Sequence, residues 1–146
     1  MTRRQELLDA EDERWRELEA RFHRLAEADW LRPGANGEWT PKDLLTHTAA
    51  WHALTTDRLE SLRTTGLLPP LTQEVDEFNA AQYEQSRGLP LHEALAMSSA
   101  ARHRFREEVA LLPDDPGEKL AGMIYSNADG HYQEHIPHMD AFLGVE

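Results

Sequence analysis

The sequence predicts an all-α fold, a four-helix bundle with a long crossover that contains a short extra helix. Three observations predict it. Apolar residues recur at threes, fours and sevens over the long stretches of the chain. Helix-start and helix-stop residues bracket those stretches. No stretch alternates apolar and polar residues with the composition of a strand.

The first helix is predicted from Thr2 to Asp29, with Leu8, Trp15, Leu18, Phe22 and Leu25 on one stripe. Turn residues Pro33, Gly34, Asn36 and Gly37 follow. Thr40 reads as an N-cap, Pro41 takes the first helical position and Asp43 makes an acidic first turn, so a second helix spans Pro41 to Thr65. Gly66 and Pro69-Pro70 break the chain. A shorter helix is predicted from Gln73 to Ser86, inside the crossover. The third long helix runs from Pro90 to Leu112, carrying Leu91, Leu95, Ser98, Ala101, Phe105, Val109 and Leu112 on one side. The last is predicted as one helix from Glu118 to Leu143.

A chain of 146 residues suits one domain, taken here as residues 1–146. No apolar run approaches the ~20 residues that cross a bilayer, and no apolar segment follows the charged start Met1 to Glu6 as in a signal peptide. A cytoplasmic protein is the expectation. The net charge of −12 argues against nucleic acid and anionic membranes as partners. Cysteine is absent, which excludes disulfides, thiolate ligands and a cysteine nucleophile. Thiol chemistry would need a thiol from outside.

Three histidines carry the chemistry. His131 and His135 are four apart, on one helix face about 6 Å apart along the axis. That spacing can clamp a metal ion. Leu120, Ile124, Asn127, His131, His135, His138 and Phe142 form the predicted inner stripe of the last helix, apolar at its ends and polar in the middle. A buried polar cluster is costly unless satisfied, and a metal satisfies it. On the second helix Leu44, His47, Trp51, Leu54 and Arg58 form a matching stripe, so His47 also points inward. Three imidazoles on two facing helices would leave a coordination position open.

The neighbours are weighed against blander roles. His138 lies too far along the axis from His131 to join the same ion, and Pro137 between them offers a kink. It reads as a supporting, substrate-facing or structural residue. His52 points to a different side from His47; His23, His92 and His103 have no partner at ligand spacing. Asn127 can bond a ligand or be a satisfied core amide. Trp51 is core or pocket wall. Asp76, Asn79 and Tyr83 share a face of the crossover helix, at a pocket entrance or merely solvated. Arg58 can hold an anion or be a solvated helix end. Asp43, one turn before His47, is the better candidate to orient a ligand imidazole; Glu134 is the other.

The segment Trp39-Thr40-Pro41-Lys42-Asp43-Leu44-Leu45-Thr46-His47-Thr48-Ala49-Ala50-Trp51 resembles the second-helix signature of the DinB/YfiT-like proteins. His131-Tyr132-Gln133-Glu134-His135 resembles their last-helix pair, and Val75-Asp76-Glu77-Phe78-Asn79-Ala80 resembles the ClbS/DfsB-like subgroup. The resemblance covers nearly the whole chain. It implies a four-helix bundle with a long crossover, often a homodimer. It also implies a divalent metal on His47, His131 and His135, with zinc or nickel expected. Members include S-transferases and isomerases that use mycothiol, bacillithiol or glutathione. Others resemble a self-protection hydrolase of a reactive cyclopropane genotoxin, which lacks the histidine triad. The triad therefore favours the metal-dependent branch, whereas the crossover segment resembles the other.

The leading expectation is a metal-dependent enzyme that takes an electrophilic small molecule by thiol transfer or hydrolysis. The rivals are a metal-independent ClbS/DfsB-like hydrolase, a small-molecule-binding bundle without turnover, and a structural bundle with core histidines. No catalytic acid, base or nucleophile is assigned.

Overall fold

Caps and glycine stops set the element bounds in the computed structural model, which describes residues 1–144. Helix α1 covers Arg3–Phe22 behind Thr2, whose hydroxyl accepts from the Gln5 N–H at 3.0 Å. Helix α2 covers Pro41–Thr65. Its start is a reciprocal box: the Asp43 N–H donates to Thr40 Oγ1 at 3.1 Å, and the Thr40 N–H donates to the Asp43 carboxylate at 2.9 Å. Gly66 stops it in the left-handed region, at φ 81°. The crossover holds α3, Val75–Ser86, and leads into α4, Leu91–Ala110. The chain ends in α5, Glu118–Asn127, and α6, Asp129–Leu143. Among the described residues no strand forms; one isolated bridge joins Asn36 to Trp39 before α2.

The all-α bundle is as expected. Helix α2 packs chiefly on α4, and α1 chiefly on α6, while α3 rests on α2. Leu18, Leu44, Leu59, Phe105, Val109, Ile124, Tyr132 and Met139 form the centre of the core. Burial of these side chains supplies the main driving force, ~1.5–3 kcal/mol for each large one.

Two element expectations need correction. The first helix stops at Phe22, and a 3-10 turn, Glu27–Leu31, replaces its expected tail. The turn is fixed by the Asp29 carboxylate, which accepts from the Ala26 N–H at 3.0 Å. Here the acidic residue acts as a cap, and it competes with continued helix.

The last helix is not continuous. Ala128 takes φ −134° and ψ −102° and divides it into α5 and α6. Asn127, Asp129 and Gly130 around it are weak helix formers. Gly130 also meets the Tyr125 ring, to which an added Cβ would approach within 2.7 Å. The break rotates the inner face. Ala121, Ile124, Ala128, His131, Tyr132, His135 and Met139 are buried, whereas Leu120, Asn127, His138 and Phe142 are only half-buried. Pro137 lies inside α6 without ending it.

Candidate metal centre

The start of α2 is buried on nearly every side, from Pro41 to Ala49, because the 3-10 turn, α3 and α4 pack on α2 and the His131 and His135 rings of α6 meet it. His47 sits in that stretch. The break at Ala128 aims the first turns of α6 at it. His47 Nε2 lies 2.9 Å from His131 Nε2, and His135 Nε2 lies 3.0 Å from His131 Nε2. All three ligand nitrogens fall within 4.8 Å of one another, and all three side chains are buried.

Lone pairs cannot all be satisfied by one another at such distances. A neutral imidazole offers one N–H and one acceptor nitrogen, and two acceptors that face each other repel. A divalent ion bound by imidazoles at about 2.0–2.1 Å would set tetrahedral nitrogens about 3.3 Å apart. The observed spacing is close to that, so the donor set fits a metal ion.

Burial keeps the rings neutral and their lone pairs available. It pushes the His47 imidazole down to about 3, with the neighbouring His131 adding to the effect. His131 falls to about 4 by burial. His135 falls to about 2 through burial and then the rings of His131, His47 and His138.

The rings are held from outside. Trp39 packs on His47 with centroids 4.8 Å apart, and Tyr83 of α3 stacks on Trp39 at 6.3 Å. His138 Nδ1 lies 3.0 Å from His135 Nδ1. With His135 Nε2 turned to the centre, its Nδ1–H donates to His138, which fixes the ring's tautomer and direction. His138 is thus the supporting residue, and His138→Ala is expected to lower divalent-metal affinity by about 10- to 100-fold. Titration against a chromophoric chelator checks this.

The centre opens on one side into a cleft of about 330 Å³. His47 and His131 form its floor. Trp51, Leu71 and Val75 make one wall, and Asn79, Ser126, Asn127 and Glu134 supply polar groups. A second cavity of about 340 Å³ lies elsewhere, between α1 and α4.

A family model of the DinB superfamily matches residues 11–136, which takes in both histidine motifs. The chain belongs to the DinB superfamily. No curated protein and no solved structure matches it.

The DinB chain places most of the expected neighbours near the centre, but not in every expected role. Asp43 is the clear correction. Its carboxylate accepts from the Thr40 N–H and closes the helix cap, so it is spent there and does not orient His47. Trp51 is pocket wall; its Nε1–H donates to Asn79 Oδ1 at 2.8 Å and ties α3 to α2. Asn127 faces the cleft while its Nδ2 donates back to Met123 O at 2.8 Å. Asp76 is exposed and outside the cleft lining. Arg58 lies in the adjoining cleft, with its guanidinium on Pro69 O. His23, His92 and His103 are exposed.

His52 was expected on another side of α2, and that side is the core. It is fully buried and stacks on Phe105 with centroids 5.1 Å apart. Its Nε2 meets the Tyr132 hydroxyl, which in turn bonds Glu11 Oε2 at 2.8 Å. The carboxylate can only accept, so Tyr132 donates to Glu11 and His52 donates to Tyr132. Burial and then the Glu11 charge push the phenol well above its ordinary value, which keeps it a donor. Arg102 grips Glu11 with two bonds of 2.8 Å, and Arg106 adds another. This chain links α1, α2, α4 and α6 directly behind the metal centre. The signal for it was readable: Glu11 stands on the apolar stripe between Leu8 and Trp15.

The buried histidines fix the pH dependence of the metal-free chain. His47, His52, His131 and His135 all lie well below the ordinary 6.5, His52 at about 3 through burial, then His131 and Arg102. The unfolded chain takes up protons below about 6.5 that the folded chain refuses. Stability is therefore full above 6.5 and is lost as pH falls toward 4 and below. Each refused proton costs about 1.4 kcal/mol per pH unit. Urea midpoints of chelator-treated protein at pH 7.5 and 5.5 are expected to show a clear drop at the lower pH.

Proposed function

We propose that this DinB chain is a divalent-metal-dependent enzyme acting on an electrophilic small molecule, by thiol transfer or hydrolysis. The convergence of His47, His131 and His135 Nε2 atoms on one point beside an open cleft carries the reading. Imidazole donors suit zinc, nickel, iron or copper, and zinc or nickel is the ion proposed. When bound, such an ion supplies Lewis-acid chemistry, lowering the pKa of a water or thiol that reaches it.

The chain's own residues do the rest. Trp51, Leu71 and Val75 offer an apolar wall that excludes water from one side of the substrate. Ser126, Asn79 and Asn127 offer polar groups for orientation. The absence of cysteine means that a transferred thiol comes from a small molecule such as mycothiol, bacillithiol or glutathione. A homodimer in the cytoplasm belongs to the same proposal; light scattering tests the dimer.

The test is an assay of metal-loaded protein against epoxide, haloaromatic and ester electrophiles, with and without each thiol. Turnover by the wild type and none by His47→Ala, at unchanged circular dichroism, is the expected result. Turnover that survives both chelation and His47→Ala would put a metal-independent ClbS/DfsB-like hydrolase in its place. Tight ligand binding with no turnover in either protein would leave a binding bundle.

A further inference from the structure

The cleft beside the three histidines holds a single charged side chain among its lining residues, Glu134. Glu134 follows His131 by three positions on α6 and is exposed toward solvent. Among the described residues no basic side chain lines the cleft to balance it; a divalent ion on the three histidines would be the cleft's other charge, the same with or without Glu134. Two basic side chains of α2, the helix that carries His47, are held outside the cleft lining. Arg58 donates to Pro69 O at 2.8 Å and touches Met123 Sδ at 3.2 Å, in the adjoining cleft beside Asp57. Lys42 is buried, donating to Arg87 O and Leu89 O at 2.8 and 2.7 Å. The chain as a whole carries −12, so its field also repels anions.

Resting on the metal-centre reading above, we infer that Glu134 biases this cleft toward cationic small molecules and against anionic ones, beside the pull of the ion itself. A ligand that carries an amine near its reacting end gains from Glu134, and one that carries a carboxylate or phosphate there loses. Trp51, Leu71 and Val75 in the same lining receive an apolar portion of the same molecule. Glu134 is a specificity-determining residue in this account: it chooses the ligand without reaching the reacting atoms.

Three small thiols of similar size separate charge from everything else: cysteamine, 2-mercaptoethanol and 3-mercaptopropionate. Each is titrated into the cobalt(II)-loaded wild type and into cobalt(II)-loaded Glu134→Gln, and the sulfur-to-cobalt charge-transfer band is read. The thiols differ in acidity, so the quantity that counts is each ligand's change between the two proteins, from which that acidity cancels. Relative to 2-mercaptoethanol, Glu134→Gln is expected to weaken cysteamine about three- to tenfold and to tighten 3-mercaptopropionate by a similar factor. Glu134→Lys is expected to shift the three affinities further in the same directions. If cobalt(II) binds and all three affinities move in parallel, the inference is overturned while the metal centre stands. If no stoichiometric cobalt(II) spectrum forms, the metal centre fails and this inference goes with it.

Discussion

His47→Ala is expected to weaken divalent-metal binding by about 100-fold or more. Loss of a residue that merely supports a ligand costs about 10- to 100-fold, and His47 supplies one of three converging nitrogens itself. The two remaining imidazoles sit on one helix, so the site loses the strut between α2 and α6. The fold is expected to survive. His47 is flanked by Leu44, Leu45 and Thr48, which stay buried and keep α2 in place. Competition against a chromophoric chelator reads the affinity, and circular dichroism reads the fold. An affinity within threefold of the wild type would remove His47 from the ligand set.

Glu11→Ala carries the largest expected loss of stability, about 3–5 kcal/mol, because it breaks an ion-pair network built on a buried carboxylate. Glu11 is 1% exposed and accepts from Arg102, Arg106 and Tyr132. Its removal leaves Arg102 with only Asp12 and Arg106 with only Leu8 O, and takes the charged acceptor away from the Tyr132 hydroxyl. Urea denaturation midpoints of the wild type and the variant test it. The effect reaches the metal centre through the backbone, since Tyr132 directly follows His131. A loss below 1 kcal/mol would mean that the network contributes little, as exposed ion pairs do.

The bundle was legible because its signals are local. Thr40, Pro41 and Asp43 mark the start of α2 without any knowledge of tertiary structure, and Gly66 marks its stop. The pairing of His131 with His135 was legible from helical period, since a face four residues apart survives moderate errors in phase, and the resemblance to the DinB-like motifs joined His47 to them. Phase was lost where the backbone leaves the helix. A continuous last helix put Asn127 and His138 on the inner face; the break at Ala128 turns them aside and brings Tyr132 and Met139 in. Asn127, Asp129 and Gly130 held that information, but a long apolar stripe outweighed them. Asp43 misled for a related reason. A first-turn carboxylate can cap its own helix or reach a neighbouring ring, and spacing alone does not decide. The cap wins because two backbone bonds form at once. His52 was placed on another side of α2, without the recognition that α2 is covered on that side too.

Metal content of untagged protein, by elemental analysis after reconstitution with zinc or nickel, tests the central claim most directly. About one divalent ion per chain is expected in the wild type, and essentially none in a His131→Ala/His135→Ala double variant that keeps its helical spectrum. A wild type that stays metal-free after reconstitution, or a double variant that binds as much, would contradict it.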